Sequence, residues 1–513
     1  MKMSSNLNFY LTFIIISLQN IVNEFMIRRK AYFRSFILLV SIGLFTLWIS
    51  SCKKKEAGFD TSSSLYLSVD TITFDTVFTT IGSSTEYFMI RNKSSKPLNI
   101  SKIYLAGGQA SKFRINIDGL SGVSFTDMEL PANDSLYAFV EVTIDPNGGN
   151  TPLLVTDSIV FETNGHIQDI DLVAYGQDAY YILPNHHIQG LPPFNIVAGE
   201  GVDTTWTNAK PIVVYGYAVV DSTAILRIQE GTKIYFHNNS GLWVYKGGCL
   251  KVSGTKDNPV VFQGDRLESY YADVPGQWDR IWLNEGSIDN EINHAVIRNA
   301  FIGLQTEILQ QDMGNKLVLK NTVIENISGA GLLSRYYAID AENVVIANCQ
   351  QYNLALTMGG NYSFKHATLV NYWSYSVRKT PTVYFNNYYK DGNNVVFPFD
   401  LTKADFINCI IYGNADDEIL ADSSKYGGNF NYFFDHCLIK STLNVNDASH
   451  WQFIQRNQDP LFSDIYENDY HITTGSSAIG KGKGGVVPID IEGVTRDLNT
   501  PNLGAFEEVD NGS

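Results

Sequence analysis

A short phrase recurs along the second half of the chain: Asn or His, a small residue, two mostly branched apolar residues, and often a closing Asn. It reads NHAVIRN at 293–299, NTVIEN at 321–326, NVVIAN at 343–348, HATLVN at 366–371, NCIIYGN at 408–414 and HCLIKS at 436–441. From His294 onward, the corresponding Asn or His residues lie 27, 22, 23, 42 and 28 residues apart. A fixed period that holds one short apolar strand indicates stacked repeats. We expect one coil per period, and two coils in the 42-residue interval.

The hexads also predict which side chains share a side of the coil. Because a strand alternates its side chains, the two branched positions of each hexad point in opposite directions. The first position holds Val296, Val323, Val345, Thr368, Ile410 and Leu438. The second position holds Ile297, Ile324, Ile346, Leu369, Ile411 and Ile439. We expect the second set to line the interior, together with the small residues Ala295, Thr322, Val344, Ala367, Cys409 and Cys437.

The Asn or His that opens each hexad is predicted to form a corner. Asn tolerates the left-handed backbone that a sharp corner needs, and its amide can bond to the same position one coil away. His294, His366 and His436 share this position, which would place them in coils one, four and seven. Stacking would then hold them too far apart to bind one metal ion. We expect corner residues, no metal site and no cofactor.

Two stretches that flank the hexads resemble known sequence families. VDSTAILRIQEGTKIYF at 220–236 and GTKDNPVVF at 254–262 resemble the opening turns of right-handed parallel β-helix (pectin-lyase-like) proteins. Near the end, DPLF at 459–462, DYHI at 469–472 and NLGAFE at 502–507 resemble the choice-of-anchor Q ending of such proteins. The resemblance implies a right-handed β-helix at 206–455 and a C-terminal cap at 456–513. Residues 180–205, which hold three prolines, are predicted to be a linker that leads into the β-helix. Asp490, Arg496 and Glu507 are expected to form a polar network in that cap.

Residues 65–179 predict a separate N-terminal domain. Short alternating segments broken by turn residues indicate an immunoglobulin-like β-sandwich. NKSSKPLNI at 92–100 and VTIDP at 142–146 resemble the Hydin-like (ASH-type) sandwich family, with Ile144 in place of the usual Phe. The fold class is therefore all-β, a sandwich followed by a parallel β-helix. We expect the sandwich to act as a spacer or interaction module.

The N-terminus resembles that of a bacterial, Bacteroidetes-type lipoprotein. Basic residues precede an apolar run at 36–48, and ISSC at 49–52 resembles a lipobox. The resemblance implies a signal peptide at 1–52, with translation starting at Met26, lipidation of Cys52 and a tether at 53–64. The protein would then be anchored by lipid in the cell envelope, at the outer membrane.

The net charge argues against one class of partner, and the positions of the cysteines argue against disulfide bonds. The formal net charge of −16 argues against nucleic acid, because phosphates select basic surfaces. The remaining cysteines lie in or near apolar strands and are expected to be small core residues rather than disulfides: Cys249, Cys349, Cys409 and Cys437.

Aromatic residues near predicted turns give the candidate ligand-binding set. Their faces offer apolar area beside a polar tip, which suits sugar stacking. The set is Tyr270, Tyr271, Trp278, Trp282, Trp373, Tyr375, Tyr384, Tyr388 and Tyr389. We expect a binder of extended glycans or of a surface partner. A polysaccharide lyase or glycoside hydrolase and a purely architectural protein remain alternatives, although no catalytic constellation stands out. The acidic run 416–418 is expected to be a solvated loop.

Overall fold

A computed structural model describes residues 58–149, 153–307 and 316–510. Cys52 and the signal peptide expected before it lie outside these ranges, as do residues 53–57 of the tether. The described residues form β-strands joined by turns, with two short 3-10 helices at Gly108–Ala110 and Ser269–Tyr271. None of their helices is long and apolar enough to cross a membrane. The all-β prediction is confirmed, with a sandwich first and a parallel β-helix after it.

The N-terminal domain is an immunoglobulin-like sandwich of two five-stranded sheets, ordered β1-β3-β8-β5-β6 and β2-β10-β9-β4-β7. Alternating residues of both sheets fill one core, in which Ile90, Ile103 and Phe113 are fully buried. The strands are β1 Tyr66–Leu67, β2 Thr71–Phe78, β3 Glu86–Arg91, β4 Leu98–Leu105, β5 Phe113–Ile117, β6 Leu120–Gly122, β7 Ser124–Leu130, β8 Ser135–Val142, β9 Leu153–Thr163 and β10 His166–Gln177.

The second domain is a solenoid in which 26 strands form one sheet, and β30 and β31 form a separate two-stranded sheet. Its first half contains β11 Tyr180–Ile182, β12 Phe194–Ala198, β13 Asp203–Trp206, β14 Ile212–Val214, β15 Tyr217–Val220, β16 Ile225–Gln229, β17 Lys233–Phe236, β18 Gly241–Val244, β19 Cys249–Ser253, β20 Val260–Gly264, β21 Ile281–Leu283, β22 Asn290–Asn293, β23 Ala295–Arg298 and β24 Leu304–Glu307. Its second half contains β25 Lys316–Ile327, β26 Ala330–Cys349, β27 Tyr352–Lys365, β28 Thr368–Asn371, β29 Val383–Asn386, β30 Tyr388–Lys390, β31 Val396–Pro398, β32 Leu401–Ile407, β33 Ile410–Gly413, β34 Ile419–Asp422, β35 Phe433–Asp435, β36 Leu438–Ile439, β37 Trp451–Gln452 and β38 Gln455–Arg456.

Each coil contributes one strand segment to each of three sides. In the first coils, every strand pairs in parallel with the third strand after it, as β11 does with β14 and β12 with β15. The hexad side contains β20, β23, the ends of β25 and β26, β28, β33 and β36. The aromatic side contains β15, β18, β21, β24, the starts of β26 and β27, β29 and β34. The long strands β25–β27 bend through corners and serve two or three sides.

The predicted stacking of the hexads is confirmed residue by residue. Val296 pairs with Val323, Val323 with Val345, Val345 with Thr368, Thr368 with Ile410 and Ile410 with Leu438. The Ile and Leu column beside them lies in the solenoid core, as does the column of small residues. The opening residue of each hexad has a left-handed φ between 47° and 57°, as the corner prediction requires: His294, Asn321, Asn343, His366, Asn408 and His436.

Two expectations about coil boundaries are wrong. Residues 180–205 are not a linker, because they contain β11–β13 and already pair with the next coil. The 42-residue interval is one coil, since Thr368 pairs directly with Ile410. Its extra length goes into two corner insertions, the loop 372–382 and the segment 387–400, which carries the antiparallel hairpin of β30 and β31. An insertion adds residues without adding a rung, so an interval alone cannot distinguish it from a second coil. His436 is therefore in the sixth hexad coil.

The C-terminal segment, residues 456–510, lies along the hexad side instead of capping an end. It contains β39 Phe462–Asp464, β40 Asp469–Thr473 and β41 Val509–Asp510. Its apolar residues Tyr470, Ile472 and Leu503 form one cluster with the outward-facing Val345, Ile410 and Leu438. The physical reason is that these hexad residues are apolar on the outside as well, and the segment removes them from water.

The expected polar network of that segment is present. The Arg496 guanidinium is 1% exposed and lies 3.1 Å from the Glu507 carboxylate. It also donates to the Asn343 side chain at 3.0 Å and so ties the segment to a solenoid corner. The Asp490 carboxylate accepts from the backbone N–H of Glu507 at 2.8 Å.

The sandwich meets the first coils of the solenoid through an apolar contact. The rings of Phe78 and Tyr235 lie 5.0 Å apart, and both residues are buried. The Tyr181 hydroxyl donates to the Thr79 carbonyl across the junction. The Ser269 N–H, from the loop after β20, donates to the Asp75 carboxylate at 2.9 Å.

Candidate functional site

A column of outward side chains runs along the aromatic side of the solenoid. Leu242 and Val244 point into the core, so Trp243 between them points outward, and the same alternation applies in the following coils. The column pairs Trp243 with Trp282, Trp282 with Gln305, Gln305 with Leu333, Leu333 with Ala355 and Ala355 with Tyr384. We call these six residues the aromatic column. It contains Trp282 and Tyr384 of the sequence-based set.

Aromatic pairs stand at both ends of this column. At one end the rings of Trp243 and Trp282 stack with centroids 5.2 Å apart and planes inclined by 15°. Trp243 is buried beneath this stack, at 7% exposure, so Trp282 is the ring that a ligand can reach. At the other end Tyr384 stacks on Tyr352 at 5.3 Å and 28°. Trp282 and Tyr384 are four coils apart, which corresponds to about 19 Å at the usual strand spacing. Between them Leu333 is half-buried, and Gln305 and Ala355 are buried, so the middle of the column offers a ligand no aromatic ring.

Charged groups flank the Trp end of the column. The Glu307 carboxylate accepts from Trp282 Nε1 at 3.1 Å, from Gln305 Nε2 at 2.6 Å and from the Arg335 guanidinium at 2.7 Å. Arg335 is about half exposed, so part of its donor capacity faces solvent. Because three donors already hold Glu307, this carboxylate is positioned as an acceptor rather than as a free base.

The Tyr end carries a second carboxylate. Asp422 accepts from the hydroxyls of Tyr388 at 2.5 Å and Tyr384 at 3.3 Å. Burial and then the Asp422 charge raise the pKa of the Tyr384 phenol, and the hydrogen bond to Asp422 raises the pKa of Tyr388. Both phenols therefore stay neutral and act as donors at neutral pH. The two ends of the column thus have the same arrangement, an aromatic stack with a carboxylate beside it.

The other predicted aromatics do not join this column. Trp278 is a core residue, 1% exposed and stacked on Phe236 at 4.4 Å, so the expectation that it could bind a ligand is wrong. Tyr389 packs on Phe397 within the corner hairpin. Four others belong to two corner loops that touch where the Tyr375 hydroxyl donates to the Asp273 carbonyl at 2.6 Å: Tyr270, Tyr271, Trp373 and Tyr375. Of these, Trp373 is buried and offers a ligand little surface.

The acidic run 416–418 is not a solvated loop throughout. Glu418 is fully buried, and its carboxylate pairs with the buried Arg378 guanidinium at 2.5 Å and 2.7 Å. Glu418 also accepts from the backbone and hydroxyl of Thr382 at 3.0 Å and 2.7 Å. A buried bidentate pair fixes the corner loop 372–382, so both charges have a structural purpose.

Sequence reasoning missed Trp243 and Tyr352. Trp243 lies in GLWV at 241–244, where apolar residues on both sides conceal the alternation that points its ring outward. Only the pairing with Trp282 one coil later identifies the column. Within the described ranges, no group of three or more His, Cys, Asp or Glu side chains could hold a metal ion. The four cysteines there are free and buried, as predicted.

Comparisons with known proteins do not show a family for this chain. No protein-family model matches it. No curated protein matches it in sequence. Among solved structures it is similar to a family 123 glycoside hydrolase from Clostridium perfringens (10% identity, TM-score 0.16, 22% of this chain and 26% of that chain). It is also similar to the E. coli chaperone DraB (13% identity, TM-score 0.16, 22% of this chain and 54% of that chain). A third similar structure is the ASH/PapD-like domain 7 of human CEP192 (13% identity, TM-score 0.16, 25% of this chain and 94% of that chain). The chain spans about a quarter of the hydrolase, and at these TM-scores the likenesses carry no argument about function.

Proposed function

We propose that the solenoid binds an extended glycan along the aromatic column. The observation that supports this proposal most directly is the register that places Trp282 and Tyr384 on one line, four coils apart. Sugar rings present apolar faces that stack on aromatic side chains, and two platforms on one line suit a chain of linked rings. A small compact ligand would instead be enclosed in a cleft or cavity.

The flanking groups supply the polar part of such a site. Arg335 offers exposed donors, and Asp422 offers an acceptor whose position is fixed by two tyrosine hydroxyls. Sugar hydroxyls can donate and accept, so groups of both kinds beside a stacking platform give specificity. The three donors that hold Glu307 favour a binding protein over a hydrolase, which needs carboxylates free to exchange protons.

Affinity measurements on the full chain test the proposal. A glycan array should identify a polysaccharide, and Trp282→Ala or Tyr384→Ala should weaken its binding about tenfold or more, because each removes a stacking platform. Tyr87→Ala is the matched control, since Tyr87 is a 63% exposed tyrosine on the sandwich. Full binding by both column variants would contradict the proposal. Release of shortened or unsaturated products from the bound polysaccharide would replace the binder with an enzyme.

We also propose that the chain is held at the cell envelope by lipid on Cys52, on the strength of its signal-like N-terminus and the ISSC motif. Two acyl chains are enough to anchor a protein stably. Labelling cells with an alkyne fatty acid should mark the wild-type chain and leave Cys52→Ala unmarked. Equal labelling of both chains, or none of either, would contradict this part of the proposal.

A further inference from the structure

A cavity lies where the C-terminal segment meets a corner of the solenoid. Its volume is about 570 Å³, and it shares no residue with the aromatic column. Its walls include Tyr372 and Tyr412 from the solenoid and Phe462 and Tyr466 from the C-terminal segment. We call it the seam pocket. Neither the sequence motifs nor the proposed glycan column accounts for it.

The seam pocket contains a lysine that forms no ion pair with any residue in the described part of the chain. The Lys440 ammonium donates to the Gly413 carbonyl at 2.8 Å and lies 5.2 Å from the centroid of the Tyr412 ring. Lys483, by contrast, pairs with the Asp435 carboxylate at 3.0 Å. An ammonium has three donors, and the Gly413 carbonyl takes one of them. Lys440 can therefore receive an anionic group that enters the pocket.

The remaining walls suit a ring that carries hydroxyls. The Tyr466 side chain is 89% exposed and free to cover a ligand, while Tyr372 packs edge-on against Phe462 at 6.4 Å. Asp459 and Asp464 line the same cavity, and one oxygen of each carboxylate is held by backbone N–H groups of its own turn. Their other oxygens can accept from sugar hydroxyls. Aromatic faces, carboxylate acceptors and one cation are groups that can bind a charged sugar ring.

The wall from the C-terminal segment is built in advance of any ligand. Leu461, the third residue of the DPLF motif, has a left-handed φ of 48°, which is uncommon for a branched side chain. Its N–H donates to the Asp459 carboxylate at 2.9 Å, and its carbonyl accepts from the Thr473 N–H at 2.8 Å. These bonds hold the strained turn and keep Asp459 and Phe462 at the cavity. Strain maintained in this way is typical of ligand-binding positions.

We propose that the seam pocket binds a sugar ring that bears an anionic group, a carboxylate or a sulfate. Lys440 pairs with the anionic group, the tyrosines cover the ring, and Asp459 accepts from its hydroxyls. The pocket is a site of its own, so this proposal stands or falls independently of the aromatic column.

Ligand-observed NMR titrations of the full chain with glucuronate, glucose 6-sulfate and glucose test it. We expect at least one of the two anions to bind about tenfold more tightly than glucose, since hydrogen bonds to charged groups contribute more than neutral ones. The glucuronate and sulfate arms show which anionic group is accepted. Raising the salt concentration should weaken the binding of the anionic sugar and leave the binding of glucose unchanged.

Substitutions in the pocket show whether these side chains bind the sugar. Lys440→Met should abolish the preference for the anion, and Tyr466→Ala, at a side chain that is almost fully exposed, should weaken binding of every sugar. Lys425→Met, at an exposed lysine outside the pocket, is the matched control and should bind as the wild type does. Equal affinity for glucose, or an anion preference that survives Lys440→Met, would overturn the proposal. Loss of anion binding in Trp282→Ala alone would move the site to the aromatic column.

Discussion

At the scale of single residues, the corners decide the geometry of the solenoid. Asn321 has φ +47° and donates its amide to the Asn293 side chain at 3.0 Å, while its own oxygen accepts from Asn343 at 3.0 Å. A residue at this position must tolerate left-handed backbone and bond to side chains of the coils on either side, here Asn293, which precedes the His294 corner, and the corner residue Asn343. Asn does both, which explains its recurrence at the hexad openings.

We expect Asn321→Ala to lower the free energy of unfolding by about 3 kcal/mol, because it loses two hydrogen bonds and places a Cβ-bearing residue without compensation in the left-handed region. Asn321→Gly loses the same bonds and escapes the backbone strain, so it should cost about 1 kcal/mol less. Urea unfolding followed by circular dichroism measures both. Equal effects of the two substitutions would show that the backbone conformation at this corner costs nothing.

His366 links one corner to acid sensitivity. Its Nδ1 lies 3.2 Å from the Gly504 carbonyl and its Nε2 lies 2.8 Å from the Asn408 amide, which defines a neutral ring with the proton on Nδ1. Burial, and then the charge of Arg496, lowers the pKa of His366 to about 3.

The unfolded chain therefore takes up a proton on His366 below about pH 6.5, and the folded chain does not do so until about pH 3. The stabilisation is fully present above pH 6.5 and is lost as the pH falls through this window, by roughly 3 kcal/mol at pH 4.5. We expect His366→Asn, which keeps a corner residue, to unfold with a flatter pH dependence between pH 6.5 and 3. An unchanged slope would assign the acid sensitivity to other groups.

At the scale of elements, the C-terminal segment is attached through close contacts to the hexad side. Gly504 has φ +86°, and a Cβ there would lie 2.6 Å from Thr368 Oγ1 and 2.8 Å from Ile410 Cδ1. We expect Gly504→Ala to destabilise the attachment by about 3 kcal/mol, from backbone strain and overlap together. Limited proteolysis should then cut within residues 456–510 first.

Gly485 provides the matched control for this prediction. Its φ is +72°, but nothing lies within 4 Å of a Cβ built there. Gly485→Ala should lower the free energy of unfolding by about 1 kcal/mol, from backbone strain alone, and leave the C-terminal segment resistant to the protease. If both variants are cut equally fast, close packing at Gly504 does not hold the segment.

The sequence predicts the elements that depend on the repeat and misses those that depend on insertions. The register of the hexads and the interior column follow from alternation and period. The corner hairpin after Tyr384 has no such period, so its length alone predicts a further coil that does not exist. The position of the C-terminal segment does have a sequence signal, because Val345 and Ile410 are apolar at positions that face outward. A strand that is apolar on both sides is covered on both sides.

The candidate site is predicted less completely than the fold. Trp282 and Tyr384 belong to the candidate set, but a list of aromatics near turns cannot separate outward rings from buried ones. Trp278 illustrates the difficulty, since four residues before Trp282 the same residue type packs in the core. The register between coils, which identifies the aromatic column, requires the strand pairings themselves.

At the scale of the whole molecule, the buried contact of Phe78 with Tyr235 is one of the contacts between sandwich and solenoid, beside the hydrogen bonds of Tyr181 and Asp75. We expect Tyr235→Ala to leave both domains folded and to raise the radius of gyration measured by small-angle X-ray scattering, because the buried ring contact is lost. Tyr137→Ala, at a tyrosine that is 49% exposed on the sandwich, should leave the radius unchanged. An unchanged radius in Tyr235→Ala would mean that the Tyr181 and Asp75 hydrogen bonds suffice.

Residue-for-residue pairing between coils also sets the unit in which this protein can change length. Removing or adding one complete coil would bring the next corner into the place of the previous one and preserve every later strand pairing. Removing an odd number of residues from within a strand would turn all its following side chains inside out. Lineages of such chains should therefore differ by whole turns or by corner insertions, and the distance between the two aromatic platforms should vary in steps of one strand spacing.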